Sequence, residues 1–292
     1  MVNDISASSV RNPSDPCPCT EDICLCHCVI SISPRRSLTE VRQGTPYVCR
    51  RLQTSTKMAA PALVLHVSLL AWNVFAVWQN VEVTGSNLNH GANSYGGRWK
   101  YLTFLNQVLQ TLFFGICVLC DLLQLCLSNR KRFCSVFARL KDCIFAALAF
   151  PVGVFVCASF WSIYAYDREL VYPKELDSFI PQWLNHAMHT FIIPPLLIEL
   201  FACPHQYPTK KNGYAVLLVF CIAYLSWVHW VQYAAGLWVY PILEKLDVVG
   251  KLVFFGSLLL IMLVFYFLGE KLTRMRWGSG RPPKRKKKKK SN

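Results

Sequence analysis

The sequence predicts an all-α protein that crosses a membrane about six times, and two observations carry this prediction. The 292 residues are 53% hydrophobic and only 16% charged, a balance outside that of ordinary soluble domains. The apolar residues also come in long stretches with few or no charges, and each stretch approaches the roughly 20 residues that a helix needs to cross a bilayer. We therefore expect a multi-pass transmembrane helical bundle.

Six segments between residues 58 and 268 qualify as spans. They cover residues 58–81, 101–125, 143–166, 181–199, part of 212–243, and 252–268. The third contains Pro151 and Gly153, which membrane helices accommodate as kinks.

The regions outside the spans define the predicted domains. Residues 1–57 are rich in Ser, Pro and Cys and predict a disordered extension, and Met58 would serve equally well as a start. Residues 58–272 form the expected membrane domain, and residues 273–292 form a basic tail.

Positive charge predicts the orientation. The net charge is +15, of which eight positive residues lie in the tail, leaving 15 − 8 = +7 elsewhere. Basic residues concentrate before the first span, between the second and third, between the fourth and fifth, and in the tail, so both termini are expected in the cytosol. The charge is typical of membrane flanks, so we expect membrane lipids as partners and no nucleic acid.

The tail also bears on localisation. Lys289 and Lys290 before the last two residues resemble a dilysine signal for the endoplasmic reticulum. The same lysines would bind anionic lipid. We expect the endoplasmic reticulum or another endomembrane, or the plasma membrane.

The fourteen cysteines do not predict a disulfide framework. Several lie inside apolar stretches, where cysteine acts as a small hydrophobic residue: Cys117, Cys120, Cys126, Cys157 and Cys221. The cluster between Cys17 and Cys28 lacks the usual zinc spacing and a second ligand pair, so we expect no metal there.

The fourth span is the one with polar chemistry. Asn185, His186 and His189 lie within about one helical turn in an otherwise apolar stretch. Polar groups inside a bilayer are costly and are candidates for function. The alternative is that they hydrogen-bond to a neighbouring helix and only hold the bundle together.

Topology brings a possible nucleophile to the same depth. The second and fourth spans both begin on the non-cytosolic side, so Thr103 and His189 lie one to two turns inside their helices. They can meet if these two helices are neighbours. A neutral histidine is the usual base for activating a hydroxyl. Glu199 lies about 15 Å deeper in the membrane than His189, so it cannot orient His189 unless the helix breaks at Pro194 and Pro195. The groups left to orient His189 are Asn185, His186, Asp167, Glu169 and Asp177.

A metal site or a haem site is a poorer interpretation of these histidines. His186 and His189 could present two ligands, but a catalytic zinc needs a third. The other histidines inside spans, His66 and His229, are at a different depth or without an acidic neighbour. We therefore expect no metal and no cofactor.

Several motifs resemble the androgen-induced gene 1 family. They include GRWKYLTFLN at residues 97–106, FWSIYAYDRE at 160–169, YPKELD at 172–177, IPQWLNHAMHTF at 180–191, HQYP at 205–208 and LGEKL at 268–272. The resemblance extends from about residue 58 to the C-terminus, and residues 1–57 have no counterpart in it.

This resemblance implies a multi-pass membrane hydrolase of fatty acid esters of hydroxy fatty acids. The family's nucleophilic threonine follows W-K-x-[LM], which corresponds to Thr103. Its histidine base is the second one in N-H-x-M-H-T, which corresponds to His189. A branched lipid ester is the implied substrate. The alternative function is a non-enzymatic membrane protein that regulates the level or placement of a partner, such as tissue factor pathway inhibitor.

Overall fold

In the computed structural model, which describes residues 46–85, 94–126 and 131–278, the chain folds as a bundle of α-helices. The described residues contain no β-strand, which confirms the all-α class. In chain order the helices are α1 (Pro46–Gly85), α2 (Leu102–Cys126), α3 (Lys131–Ile144), α4 (Phe150–Asp167), α5 (Gln182–His189), α6 (Ile193–Ala202), α7 (Lys210–Ala235), α8 (Ile242–Lys245) and α9 (Val248–Trp277).

Five helical segments in the described part of the chain are long and apolar enough to cross a membrane. They are Ala60–Val83, Leu102–Cys126, Cys134–Leu170, Lys210–Ala235 and Val248–Trp277. Large apolar side chains on them are exposed, as expected for surfaces that face lipid; Leu112, Val219 and Leu252 are examples. These segments correspond to five of the six predicted spans and confirm a multi-pass membrane protein.

The fourth predicted span is not one continuous helix. It is divided into α5 and α6 by a turn that starts at Thr190. Pro194 and Pro195 lie in the first turn of α6, where the missing N–H groups cost nothing, but neither can continue a helix that precedes it. The prolines therefore explain the break.

The α5–α6 pair nevertheless extends along most of α2. At one end His189 contacts Thr103, near the start of α2. At the other end Glu199 contacts His66, which in turn contacts Asp121 near the end of α2. Thr103 and Asp121 are 18 residues apart, which is about 27 Å along a helix. The broken pair thus passes from one end of the bundle towards the other.

A π-helical turn, Phe145–Ala149, joins α3 to α4. Pro151 follows it, and a proline removes one backbone hydrogen bond and displaces the carbonyl four residues earlier. Gln110 donates to the carbonyl of Ala149 at 2.9 Å, which satisfies an acceptor at this irregular point. The helix deforms close to the predicted kink, and α4 continues into the centre of the bundle.

Helix α1 begins before the predicted membrane domain. It starts at Pro46, so residues 46–57 are helical where the sequence predicts disorder. A helix propagates easily from a formed neighbour, because only nucleation is costly. The remainder of the predicted extension and most of the basic tail lie outside the described residues. The chain divides into two compact units, Met1–Lys57 and Met58–Asn292, and both polar sites described below belong to the second.

Candidate functional site

Thr103 is the second residue of α2, and the start of this helix is held by two tyrosines. The Leu102 N–H donates to the hydroxyls of Tyr224 and Tyr240, at 3.0 and 3.1 Å. The Tyr224 hydroxyl donates to the Lys100 carbonyl at 3.1 Å. These contacts tie the first turn of α2 to α7 and to the segment before α8, and so they fix the position of the threonine.

Burial affects the ionisable groups beside this turn. Lys100 is buried and donates through its Nζ to Ser94, and burial lowers the pKa of its ammonium. Burial raises the pKa of the Tyr240 hydroxyl, so this group keeps its proton at neutral pH. The tyrosine is therefore neutral where it contacts the backbone of α2.

His189 meets Thr103 at the end of α5. Its Nε2 lies 3.1 Å from Thr103 Oγ1, and its Nδ1 lies 2.9 Å from the Asn185 carbonyl oxygen. A carbonyl only accepts, so Nδ1 carries the proton and donates. In the neutral ring Nε2 is then an acceptor, and the threonine hydroxyl donates to it. The pair has the hydrogen-bond direction that a general base requires.

The imidazole is also held by an aromatic face. The ring of His189 stacks on Phe160 with centroids 3.5 Å apart and planes 13° from parallel, and it is 5% exposed. Phe160 comes from α4, so three helices define the geometry of the pair. This contact was not predicted, since FWSIY at residues 160–164 has the composition of an ordinary apolar helix face.

The group that orients His189 is a backbone carbonyl. Asn185 is among the expected candidates, but it acts through its main chain. His186 bonds instead to Thr190 at 3.1 Å. The acidic candidates bond within their own loop: Asp177 to Arg168, Asp167 to the Glu169 N–H, and Glu169 to the Lys174 N–H.

Thr103 lines an apolar cavity of about 380 Å³. Its walls come from α2, α4, α7, α9 and the segment around α8, and are mainly Leu, Ile, Val and Phe. Three lining residues, Leu218, Ile222 and Leu252, are exposed on the outer surface of the bundle. The cavity therefore extends from the threonine to the apolar surface that faces lipid.

A second polar centre lies at the other end of the bundle, and we call it the Glu199 cluster. Its members come from α1, α2, α3, α6 and the segment after α6: His66, Asp121, Asp142, Glu199, Cys203 and His205. The two Glu199 carboxylate oxygens lie 2.8 Å from His66 Nε2 and 2.8 Å from His205 Nε2. The other ring nitrogens face Asp121 and Asp142 at 2.5 and 3.0 Å.

Glu199 lies away from His189, as the sequence predicts, but the cluster around Glu199 was not predicted. The partners Glu199 and His66 are 133 residues apart in sequence. One signal was available, because His66, Asp121 and Glu199 are polar residues inside or at the edge of apolar stretches. Among the described residues, His66, Glu199 and Cys203 each offer a possible metal-ligand atom, and these atoms lie within 4.8 Å of one another.

Comparison with known proteins gives a consistent result. The human androgen-induced gene 1 protein is 48% identical over 189 residues, covering 63% of this chain and 79% of the relative. The human androgen-dependent TFPI-regulating protein is 40% identical over 226 residues, covering 77% and 97%. A UPF0641 membrane protein of Schizosaccharomyces pombe is 26% identical over 205 residues, covering 68% and 86%.

No solved structure matches the chain. The sequence model described as FAR-17a/AIG1-like protein matches residues 61–274, which include every helix from α2 to α8, most of α9 and both polar centres. The chain therefore belongs to the FAR-17a/AIG1-like family.

Proposed function

We propose that this protein hydrolyses fatty acid esters of hydroxy fatty acids, with Thr103 as the nucleophile and His189 as the general base. The observation that carries the proposal is the 3.1 Å contact between Thr103 Oγ1 and the unprotonated Nε2 of His189, beside an apolar cavity. A threonine hydroxyl is a weak nucleophile until a base accepts its proton. A neutral, oriented imidazole at hydrogen-bond distance is suited to that task.

The reaction has two stages. Oγ1 of Thr103 attacks the ester carbonyl carbon while His189 Nε2 takes the hydroxyl proton, and the carbonyl electrons move to oxygen. The tetrahedral intermediate then expels the hydroxy fatty acid, whose alkoxide oxygen takes the proton from Nε2. The other fatty acid remains as an acyl ester of Thr103.

Water completes the second stage. His189 removes a proton from water as the water oxygen attacks the acyl-threonine, and it returns that proton to Oγ1 when the ester bond breaks. The products are the free fatty acid and the regenerated threonine. The same imidazole serves as base and then acid in each stage.

The start of α2 supports stabilisation of the oxyanion. First-turn N–H groups of a helix have no intrahelical partner and carry partial positive charge. The Leu102 N–H is taken by the tyrosines, and the Leu105 N–H by the Tyr101 carbonyl at 3.2 Å. The N–H groups of Thr103 and Phe104 are therefore the proposed donors to the developing negative charge.

The cavity supports a lipid as the substrate. Its apolar walls match an acyl chain, and a chain that leaves lipid for such walls loses little free energy, since both surroundings are equally apolar. The exposed residues at its edge favour entry from the bilayer. The ester would then rest near Thr103.

A covalent probe tests the proposal. Wild-type protein in detergent should react with a fluorophosphonate, and Thr103→Ala should abolish both labelling and ester hydrolysis. Thr103→Ser should retain labelling, because a hydroxyl remains. Thr111→Ala is the matched control, because Thr111 lies two turns further along α2 and bonds only to the Gln107 carbonyl in the described structure. Retained hydrolysis in both Thr103→Ala and His189→Ala would reject the mechanism.

A second candidate function follows from one relative's name, which describes an androgen-dependent protein that regulates TFPI. In this alternative, the chain regulates the level or placement of a protein partner without catalysis. Wild-type protein would then show neither probe labelling nor ester hydrolysis. A change in the partner's level that persists in Thr103→Ala would also favour it.

We further propose that both termini face the cytosol and that Thr103 lies near the opposite side of an endomembrane or the plasma membrane. The distribution of basic residues between spans supports this orientation. Single cysteines at Asn93 and Lys210, in a background that lacks accessible cysteines, test it. An impermeant maleimide should reach the two from opposite sides, and labelling of both from one side would contradict the orientation.

A further inference from the structure

The Glu199 cluster contains three different metal-ligand side chains that point towards one another. His66 Nε2, a carboxylate oxygen of Glu199 and Cys203 Sγ all lie within 4.8 Å of one another. The nitrogen is 2.8 Å from Glu199 Oε2 and 3.7 Å from the sulfur. All three residues are buried. Imidazole, carboxylate and thiolate are the ligands that Zn²⁺ takes in proteins.

The two separations that involve His66 Nε2 require little adjustment to accept such an ion. Bonds of about 2.0–2.1 Å to nitrogen and oxygen and about 2.3 Å to sulfur place tetrahedral ligands roughly 3.4 to 3.6 Å apart. The nitrogen–sulfur separation of 3.7 Å is already close to this value. The nitrogen–oxygen pair would open by about 0.6 Å, within the movement of a side chain on its rotamer.

The proton arrangement also indicates a place for a cation. Asp121 faces His66 Nδ1, so this nitrogen donates its proton to the carboxylate. In a neutral ring, Nε2 then carries a lone pair, and this nitrogen lies 2.8 Å from the Glu199 carboxylate oxygen Oε2. Two acceptors at that distance repel unless a proton or a metal ion lies between them. A metal ion can therefore replace one proton on His66 and a second on the Cys203 thiol.

The surroundings match those of known metal ligands. A histidine that binds a metal usually donates its other ring N–H to a carboxylate, and the ligating carboxylates are themselves hydrogen-bonded. Asp121 fills the first role for His66, and His205 fills the second by donating to Glu199 Oε1 at 2.8 Å. Asp142 in turn accepts from His205 at 3.0 Å. These groups fix both the imidazole and the carboxylate from the sides away from the ion.

The charge balance of the cluster permits a divalent cation. The cluster holds three carboxylates against two imidazoles, and Lys141 interacts electrostatically with Glu199 as a further positive group. A divalent ion that displaces the protons of His66 and Cys203 leaves this sum unchanged, so binding costs no net charge inside the bundle. A pure ion-pair network uses the histidines and carboxylates but has no need of Cys203. The cysteine distinguishes the two interpretations.

We propose that His66, Glu199 and Cys203 bind a Zn²⁺-class divalent metal ion at the end of the bundle opposite Thr103, with Asp121 and His205 as positioning residues. Three protein ligands leave a fourth position for water. The site is separate from the esterase pair, and it departs from the expectation of no metal that the sequence alone supports. Metal binding at this site does not depend on the proposed hydrolysis.

Metal content of the intact chain tests the proposal. The full-length protein would be purified in detergent without a histidine tag, treated with a chelator, exposed to Zn²⁺ alone, desalted and analysed by elemental mass spectrometry. We expect about one zinc per chain in the wild type. Cys203→Ser and Glu199→Gln should each lower the affinity at least tenfold. Asp121→Asn should lower it about 10- to 100-fold, as loss of a carboxylate behind a ligating histidine does.

Cys157→Ser is the control, because Cys157 is another free cysteine, half-buried on α4, and lies outside the cluster. It should retain the zinc. Replacement by Co²⁺ adds a spectroscopic readout, since a thiolate ligand gives a sulfur-to-cobalt charge-transfer band that should vanish in Cys203→Ser. Wild-type protein without stoichiometric zinc, or a monodisperse Cys203→Ser that binds zinc as tightly as wild type, would overturn the proposal.

Discussion

The two polar centres of this bundle each hold a buried histidine, but in opposite surroundings. His189 has a neutral carbonyl at one ring nitrogen and a hydroxyl at the other, beside an apolar cavity. His66 has a carboxylate at each nitrogen and is almost completely buried. A carbonyl fixes the tautomer without adding charge, so His189 keeps a free basic nitrogen. Two carboxylates instead require a cation at His66, either a proton or a metal ion.

The two ends of the bundle therefore suit different roles. The Thr103 end combines one neutral base with space for a molecule, which is the arrangement that chemistry on a substrate requires. The Glu199 end connects α1, α2, α3 and α6 through charged hydrogen bonds, which suits binding of an ion or fixing the helices. Variants at each end should therefore fail in different measurements.

The largest effect is expected at His189. Replacing it with alanine removes the base, and general-base catalysis contributes roughly 10²- to 10⁴-fold to a rate. Turnover of a fatty acid ester of a hydroxy fatty acid should fall by that factor, while the thermal midpoint in detergent changes little. A variant with near wild-type turnover would contradict the role of His189.

The next effect is structural and arises at the other end. Glu199→Ala leaves two imidazoles without their shared carboxylate, and breaking a buried ion pair by removing one partner costs about 3–5 kcal/mol. We expect reduced expression and a lower thermal midpoint. Glu175→Ala, exposed in a short 3-10 helix between α4 and α5, is the control and should behave as wild type. Equal stability of the two variants would show that the cluster does not hold the helices.

A smaller effect is expected from the aromatic support of His189. Phe160→Leu keeps an apolar residue but removes the stacked ring, and aromatic pairs contribute about 0.5–1.5 kcal/mol beyond burial. Turnover should fall roughly 3- to 10-fold. Phe114→Leu removes a buried ring elsewhere in the core and should lower stability without this loss. Equal turnover in the two variants would remove Phe160 from the site.

The smallest effect is expected at the tyrosines that hold α2. Tyr224→Phe removes one hydroxyl acceptor of the Leu102 N–H and the donor to the Lys100 carbonyl. Tyr240 still accepts from Leu102, so the net loss is about 1 kcal/mol. Turnover should drop a few-fold at most. Tyr233→Phe, on the same helix but exposed, is the control. A double Tyr224→Phe, Tyr240→Phe variant should show more than the sum of the single effects.

The sequence predicts the Thr103 end much better than the Glu199 end. Hydropathy gives the spans, and counting crossings brings Thr103 and His189 to one depth without any knowledge of side-chain contacts. The carbonyl that orients His189 was harder to predict, because every residue has a carbonyl and only the local geometry selects that of Asn185. The position of Phe160 depends on how α4 packs against α5.

The Glu199 cluster could not be predicted from the sequence, for a different reason. Its residues come from four helices and one connecting segment, and each looks like an interruption of an apolar stretch or a loop residue. His205 lies only six residues from Glu199, yet nothing in that spacing indicates that His205 and His66 both contact the Glu199 carboxylate. Such a centre is defined by which helices are neighbours, and a single sequence does not contain this information.

The turn between α5 and α6 has a consequence for how the chain can vary. Glu199 lies ten positions after His189, and one inserted residue would rotate the following helix by about 100° and advance it by about 1.5 Å. Either Glu199 would then lose His66 and His205, or His189 would be turned away from Thr103. Segment length here is thus a shared constraint, and an insertion tolerated in other connections should be tolerated in this one only if it adds nearly whole helical turns.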